Sequence, residues 1–474
     1  MSRVAKNNVS LYKISLLVSE TSHAIHAINA EEESVGENKD TNRDRQFSFL
    51  CANPSQSKSF SCGEEVDRWK QSFLTDTGSV SKPSLRSSAN SALTNGREVP
   101  LHSGWVGYFS YPQAQSTQAG VIAEFNYYPW SICFDHLNSC FYLLGEPDQA
   151  AIEAYEWLLA AQLNERASDS TALSPAPALK LELESESESA SVTPSSFQAE
   201  PFIAKWSQQN YQQAFSKVQD YLIAGDCYQV NLTHPFISAN YTGSPLDTLQ
   251  PLFQALKPSF GCYFEGEHCE LVSMSPERFI SINSSGKLEA KPIKGTIKRS
   301  DDPVLDKELI KELLNSSKNQ AENLMIVDLL RNDLSMSAQP GSVQVDKLFE
   351  LESHPNVHHL VSTISAQLKL GVTHAEAIGN AFPGGSITGA PKKRAMEIIN
   401  ELEVQPRSLY CGSFGYFSDT GNTDFNILIR SLEFRDNTIT CWGGGGITVD
   451  SDCNEEYEES LTKIRRIMET IEKI

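Results

Sequence analysis

Three apolar runs follow one another between residues 408 and 450: SLYCGSFGYFS, DFNILIRSLEFRDN and TITCWGGGGITVD. Each has the length and the aromatic and β-branched content of a strand. The gaps between them are too short for the crossover that a parallel pair needs, so they are expected to pair antiparallel. Further strands are expected upstream in CYQVNLTHPFIS and ELVSMSPERFISINSSGKLEAKPIKGT. Helical spacing marks NYQQAFSKVQDYLIAGD, DPVLDKELIKELLNSSKNQAENLMIVDLLRNDLS and APKKRAMEIINELE, which opens near Pro391. A closing helix is read in EEYEESLTKIRRIMETIEKI. This order of elements predicts an α+β fold, with large antiparallel β-sheets and flanking helices.

The chain has 474 residues, 40 % of them hydrophobic, enough to bury a substantial core. One stretch cannot contribute to it. NERASDSTALSPAPALKLELESESESASVTPSSFQ, residues 164–198, is rich in Ser, Glu, Ala and Pro, and reads as an exposed acidic linker. It divides the chain into an N-terminal region, 1–163, and a C-terminal region, 199–474. The former shows strand-like alternation in GWVGYFSY and SICFDHLNSCFYLLGE but no chemistry on its face. Acidic residues outnumber basic ones by 60 to 39, a net charge of −21, which argues against nucleic acid and anionic membranes as partners. An anionic substrate would therefore need a local basic pocket. The ten cysteines include no C-x-x-C pair and no zinc spacing, as expected of reduced thiols in a cytoplasmic protein. The early apolar run ISLLV is too short for a secretion signal, and no run approaches a membrane span.

Six features of the C-terminal region could carry chemistry. Lys294, in KPIKGTIKRS, stands where a β-run tightens into a turn. A solvated lysine and a lysine held against a ligand both suit that place. Glu322 shares a helix face with Met325, Ile326 and Leu329, so it either needs a cationic partner or turns to solvent. Glu456 and Glu459 point the same way on the closing helix, where acidic residues also simply complement the helix dipole. With Glu322 they could hold a hard cation such as Mg²⁺. FPGGSITGAPKKRAMEI leads a glycine-rich loop into a helix that opens on Lys392, Lys393 and Arg394. This arrangement suits a bound anion or an acidic neighbour. The four glycines of CWGGGGITVD permit close backbone approach to a ligand, and Arg430 could add a planar fork for a carboxylate. Of His358 and His359, adjacent in a strand, one is expected inside as a satisfied core group.

Together, GDCYQVNL, SPERF, PIKGT, AENLMIVDLLRNDL, HHLVSTI, AFPGGSITGAPKKRAMEII, GSFGYF, IRSLEF, GGGI and EEYEES occur in an order that resembles the chorismate-utilising enzymes. The resemblance covers about residues 200–474, and is loose in the N-terminal region. Where the anthranilate-forming branch usually reads P-I-A-G-T, this chain has P-I-K-G-T, like the branch that forms 4-amino-4-deoxychorismate for 4-aminobenzoate and folate.

The resemblance implies amination of chorismate at C4. Lys294 would be the nucleophile, its amine kept unprotonated by burial beside other cations, with Lys291 and Arg278 as the expected neighbours. Glu277 would be the general acid and base, and His359 an active-site histidine. Glu322, Glu456 and Glu459 would hold Mg²⁺. Gly295, Thr296, Thr388, Tyr416, Arg430 and the backbone of Gly444, Gly445 and Gly446 would bind substrate. No cysteine lies in a G-x-C-x-G glutaminase elbow, so ammonia is expected from a separate glutamine amidotransferase subunit. The alternatives are an anthranilate synthase large subunit, which Lys294 argues against, and a non-catalytic chorismate-binding subunit.

Overall fold

The computed structural model describes residues 14–19, 47–61, 99–112, 121–135, 140–149, 151–156, 158–159, 197–300, 302–353, 357–403 and 405–474. The bulk of the linker segment, 164–196, lies outside the described residues. Its last two positions do not behave as linker: Phe197 is buried and Gln198 begins a short strand, Gln198–Ala199.

Two large antiparallel sheets dominate. The first, of eleven strands, runs Gly389–Ala390, Gln229–Ser238, Thr438–Ile447, Ser431–Arg435, Glu270–Ser275, Phe260–Glu265, Ile14–Ser19, Phe47–Ala52, Trp130–Asp135 and Cys140–Gly145, with Ile203–Ala204 also on Gln229–Ser238. The second, of ten, runs Ile293–Lys298, Val357–Gln367, Lys287–Ala290, Arg278–Ile282, Thr423–Asn426, Ser413–Ser418, Gly104–Phe109, Val121–Tyr128 and Gln56–Ser61, with Gln344–Ser353 also on Val357–Gln367. The helices that flank the sheets among the described residues include α1 (Gln208–Ile223), α2 (Leu249–Leu256), α3 (Pro303–Asn315), α4 (Ser317–Ser335), α5 (His374–Ala381), α6 (Lys392–Leu402) and α7 (Cys453–Ile471).

The period-two pattern explains the layering. In GWVGYF, Val106 and Tyr108 join a core between the two sheets, together with Phe49, Phe264 and Phe414. Trp105 and Phe109 turn to the opposite face, where they share a second core with Ile326 and Leu330 of α4. On the first sheet, Cys262 and Phe264 face inward, while Tyr263 joins an outer core with Ile464 and Ile467 of α7. Both sheets are thus buried on both faces, helix–sheet–sheet–helix.

The regions on either side of segment 164–198 share both sheets. Gly104–Phe109 pairs residue by residue with Ser413–Ser418, and Ile14–Ser19 with Phe260–Glu265. No helix among the described residues is long and apolar enough to cross a membrane. None of the eight cysteines whose side chains are described forms a disulfide.

Candidate active site

The site lies where the two sheets are stitched together. Strand Glu270–Ser275 belongs to the first sheet, and two residues later Arg278–Ile282 belongs to the second. Its neighbour makes the reverse passage, from Thr423–Asn426 to Ser431–Arg435. The crossings are bonded to each other: Ile427 N–H donates to the Glu277 carbonyl at 3.0 Å, and the Ser275 hydroxyl donates to the Ile427 carbonyl at 2.6 Å. Glu277 sits on one crossing and Arg430 on the other. Arg430 adopts a left-handed backbone conformation, φ 53°, which is strained for a non-glycine residue and common at sites that aim a side chain.

Glu277 is buried, with 9 % of its surface exposed. Burial pushes its carboxyl above the ordinary range, opposed by the nearby Ser386 side chain and the charges of Lys294, Lys463 and Arg430. A carboxyl with raised proton affinity, ringed by cations, suits a group that must both donate and accept a proton. Burial lowers the pKa of Arg430, and Glu277 opposes this.

Lys294 reaches this cluster through a bulge. Strand Ile293–Lys298 pairs Ile293 with Val361 and Thr296 with His359, three steps against two. The extra residue falls at Lys294–Gly295, with Gly295 at φ +85°. A bulge re-aims side chains, which answers why a lysine stands where the strand tightens. The expected neighbours differ. Arg278 forks onto Asp424 at 2.9 and 3.0 Å and lies 3.8 Å from Glu289, while Lys291 lies 3.6 Å from Glu289. Lys294 instead acts electrostatically on the carboxylates Glu277 and Glu459.

The fourth wall is the closing helix laid over glycine. Gly443–Gly446 lie inside strand Thr438–Ile447, paired with His234, Thr233, Leu232 and Asn231. Pairing with Ser431–Arg435 ends at Cys441, so no described strand covers that second edge of the glycines. A Cβ on Gly443 would come within 2.7 Å of the Ser460 carbonyl of α7, so glycine is what lets helix and strand approach. Gly445 faces the Glu456 carboxylate, Lys463 and Glu459. Lys463 donates to the Gly444 carbonyl at 3.0 Å and to Glu459 at 2.7 Å.

Burial and the charge of Glu459 raise the Glu456 carboxyl, against a 2.7 Å hydrogen bond from Ser451 and the charges of Lys463 and Lys318. Burial also pushes Glu459 up, but Lys463, Lys294 and Lys318 outweigh it and hold that carboxyl below its ordinary value. Two adjacent carboxylates of opposite shift offer oxygen donors to a hard cation. Among the described residues, no three His, Cys, Asp or Glu side chains are close enough to hold a metal ion. Glu322 is therefore not gathered with the pair, although Lys318, one turn before it on α4, acts on both carboxylates. The donor pair fits Mg²⁺ and the third ligand does not yet join it.

The remaining expected residues divide. His359 Nδ1 lies 2.8 Å from the Thr296 hydroxyl. His358 is the satisfied core histidine, held by Ser353 at 2.8 Å and Asp306 at 3.1 Å. Thr388 is fully buried, and its hydroxyl donates to the Gly384 carbonyl at 3.0 Å. Tyr416 lies in the core between the sheets, its ring 6.4 Å from that of Phe49. The basic opening of α6 is matched by acidic neighbours: Lys392 bonds Asp333 at 2.7 Å, and Arg394 bonds Asp226 and Glu397. Gly389–Ala390, just before α6, is spent on the first sheet. Lys463, Lys318 and Ser386 were not anticipated. The first two carry a readable signal, since each stands four residues from a candidate glutamate on one helix face. Nothing in the local sequence marks Ser386.

A family model described as chorismate binding enzyme matches residues 38–469. Aminodeoxychorismate synthase component 1 of Escherichia coli (strain K12) is 39 % identical over 390 residues, covering 80 % of this chain and 79 % of that protein. The protein of the same name from Klebsiella aerogenes is 46 % identical over 269 residues, 57 % of this chain and 59 % of its own. Anthranilate synthase component I of Streptococcus pneumoniae TIGR4, a solved structure, superposes with a TM-score of 0.67 at 24 % identity, covering 93 % of this chain and 95 % of that one, a likeness of fold. With its sheets, crossings and closing helix in that arrangement, the chain belongs to the chorismate-binding enzyme family.

Proposed function

We propose that this protein aminates chorismate at C4, giving 4-amino-4-deoxychorismate for 4-aminobenzoate and folate. The observation that carries the reading is the bulge that sets Lys294 against Glu277. Similarity to proteins named aminodeoxychorismate synthase component 1 supports the same branch. In the first step Lys294 Nζ bonds to C2, the ring double bonds shift, and the C4–O bond breaks. Glu277 gives its proton to the departing hydroxyl, which leaves as water. Ammonia then bonds to C4, the C2–Nζ bond breaks, and a proton from the incoming nitrogen returns to Glu277. Chorismate and ammonia thus become the product and water, by two easier displacements in place of one.

Arg430, Lys463 and Lys294 supply the basic pocket that a dianion needs in a chain of net charge −21. The reading includes Mg²⁺, which would offset the repulsion between substrate and glutamates. Glu456 and Glu459 are the donors the geometry supports, and Glu322 enters on the resemblance alone. It also includes a separate glutamine amidotransferase subunit as ammonia source, action in the cytoplasm, and no nucleic-acid or membrane partner.

The test uses the isolated chain with chorismate, Mg²⁺ and ammonium. Wild type should form 4-amino-4-deoxychorismate, and anthranilate instead would place it in the other branch. Lys294→Ala should still bind chorismate but lose turnover by about a hundredfold or more, with positioning and electrostatics leaving a residue. Lys294→Arg should not rescue, because guanidinium stays protonated. Without ammonia, wild type should carry a mass adduct on the peptide containing Lys294. No adduct, with Lys294→Ala near the wild-type rate, would reduce Lys294 to a positive charge beside the substrate.

A further inference from the structure

Gln229 carries a primary amide into the interior and gives it nothing to bond. It opens the strand Gln229–Ser238 and is wholly buried. Neither Nε2 nor Oε1 has a hydrogen-bond partner among the described residues, and among them no other side chain leaves two polar atoms in that state. The main chain here is committed: Gln229 pairs with Ala390, and a Cβ on Gly389 would come within 2.1 Å of the Gln229 carbonyl. A buried donor or acceptor without a partner destabilises a fold, whereas an apolar side chain of the same shape does not.

The amide lies over Gly446. A Cβ there would come within 2.7 Å of Nε2 and 3.2 Å of Oε1, so glycine is what leaves room for it. Asn231 stands opposite Gly446, and Gln229 shares that face of the sheet, diagonally across the ladder. The ladder also fixes where the main chain of Gly446 points. Asn231 N–H donates to the Thr388 carbonyl at 2.9 Å, and Thr233 N–H to Glu403 at 3.0 Å, both away from the glycine strand. Their partners Gly446 and Gly444 are therefore in non-hydrogen-bonded pairs, with N–H and carbonyl turned to the far edge. Lys463, on the Gly444 carbonyl, marks that edge, which no described strand covers beyond Cys441. A main-chain N–H and a primary amide thus stand side by side at Gly446, on the face opposite the one where Gly445 meets Glu456 and Glu459.

We propose that Gln229 is a further substrate-binding residue, whose Nε2 donates to a carboxylate received by the Gly446 N–H. The inference rests on the reading that chorismate binds at these glycines. A neutral amide can hold a carboxylate without attracting the glutamates of α7, as another lysine would. Oε1, the acceptor beside Nε2, suits an O–H of the same ligand. Chorismate offers its C4 hydroxyl on the carbon next to the one that bears the enolpyruvyl arm. The ligand then supplies both missing partners.

The experiment measures chorismate binding by calorimetry, with Mg²⁺ and without ammonia, in a Lys294→Ala background so that no adduct forms. Thermal unfolding is followed beside it. Gln229→Leu should raise Kd by about tenfold to a hundredfold, as for a lost bond to a charged group. It should unfold at the same or a higher temperature, because two unpaired polar atoms leave the core. An amide with only a structural role would do the reverse, and a lowered Tm with unchanged Kd would overturn the proposal. Gln229→Glu should bind more weakly still, since it sets a like charge against the ligand. Binding as tight as with glutamine would remove the carboxylate from this point. With Lys294 restored, Gln229→Leu should raise the KM for chorismate by a similar factor and change kcat by less than about threefold. If Gln229→Leu does not fold, Gln229→Met is judged by the same readouts, and if neither folds the amide is structural and the proposal falls. If the protein binds chorismate but does not aminate it, the functional proposal falls while the Kd comparison still decides for Gln229. No binding by wild type or by Lys294→Ala would overturn both.

Discussion

At the scale of single residues, the site depends on backbone conformations that few residues tolerate. Gly295 is the sharpest case. Its φ of +85° lies in the left-handed region, and an added Cβ would sit 3.0 Å from Asn319 and from Leu313. Gly295→Ala is expected to cost about 1–3 kcal/mol of stability through strain alone. Its effect on turnover should be larger than that loss implies, because relaxing the bulge swings Lys294 away from Glu277. Thermal unfolding and kcat measured together check this, and a destabilised variant with full kcat would show that the bulge does not aim the lysine. Much at this scale was readable. Lys294, Glu277 and Arg430 were named from motifs, and the structure gathers them. The neighbours of Lys294 were misread, because the sequence shows Arg278 and Lys291 close in number but not that Glu289 and Asp424 hold them. Ser386 stayed hidden because a contact between two loops leaves no periodic trace.

The element that organises the acidic side of the site is α7. Its N-cap Asp452 and first-turn Glu455 and Glu456 suit the helix dipole, which is why dipole complementation was an open alternative for its acidic face. The structure adds the reason these acids also face the site: α7 rests on a strand with no side chains for four residues. Glycines weaken a strand, but the ladder with Gln229–Ser238 and the packing of α7 hold this run inside one. Metal dependence is the prediction at this scale. Glu322→Gln should abolish turnover in Mg²⁺ while circular dichroism stays that of wild type. Stripping the metal from wild type should do the same reversibly. Retained activity of Glu322→Gln, at an unchanged Mg²⁺ requirement, would leave Glu456 and Glu459 as the only protein donors.

Over the whole molecule, α+β class and antiparallel sheets were legible from closely spaced strands and helical stripes. The distribution of strands between sheets was not. Nothing local in GWVGYF says that its partner is SFGYFS, some three hundred residues later. A C-terminal region expressed alone, 197–474, would expose the edges that Ile14–Ser19 and Gly104–Phe109 cover. It is expected to be insoluble or to lack cooperative unfolding, since open hydrophobic strand edges aggregate. A soluble, active fragment would show that the C-terminal strands close the sheets unaided. Joined through a Gly/Ser replacement of 164–196, the full chain should keep its ammonia-dependent rate. Because each region completes sheets begun by the other, cutting the chain within that segment converts one folding reaction into an assembly reaction. The two pieces become each other's ligands, and recovered activity should rise with the product of their concentrations. A unimolecular catalyst would thereby become a switch set by dilution.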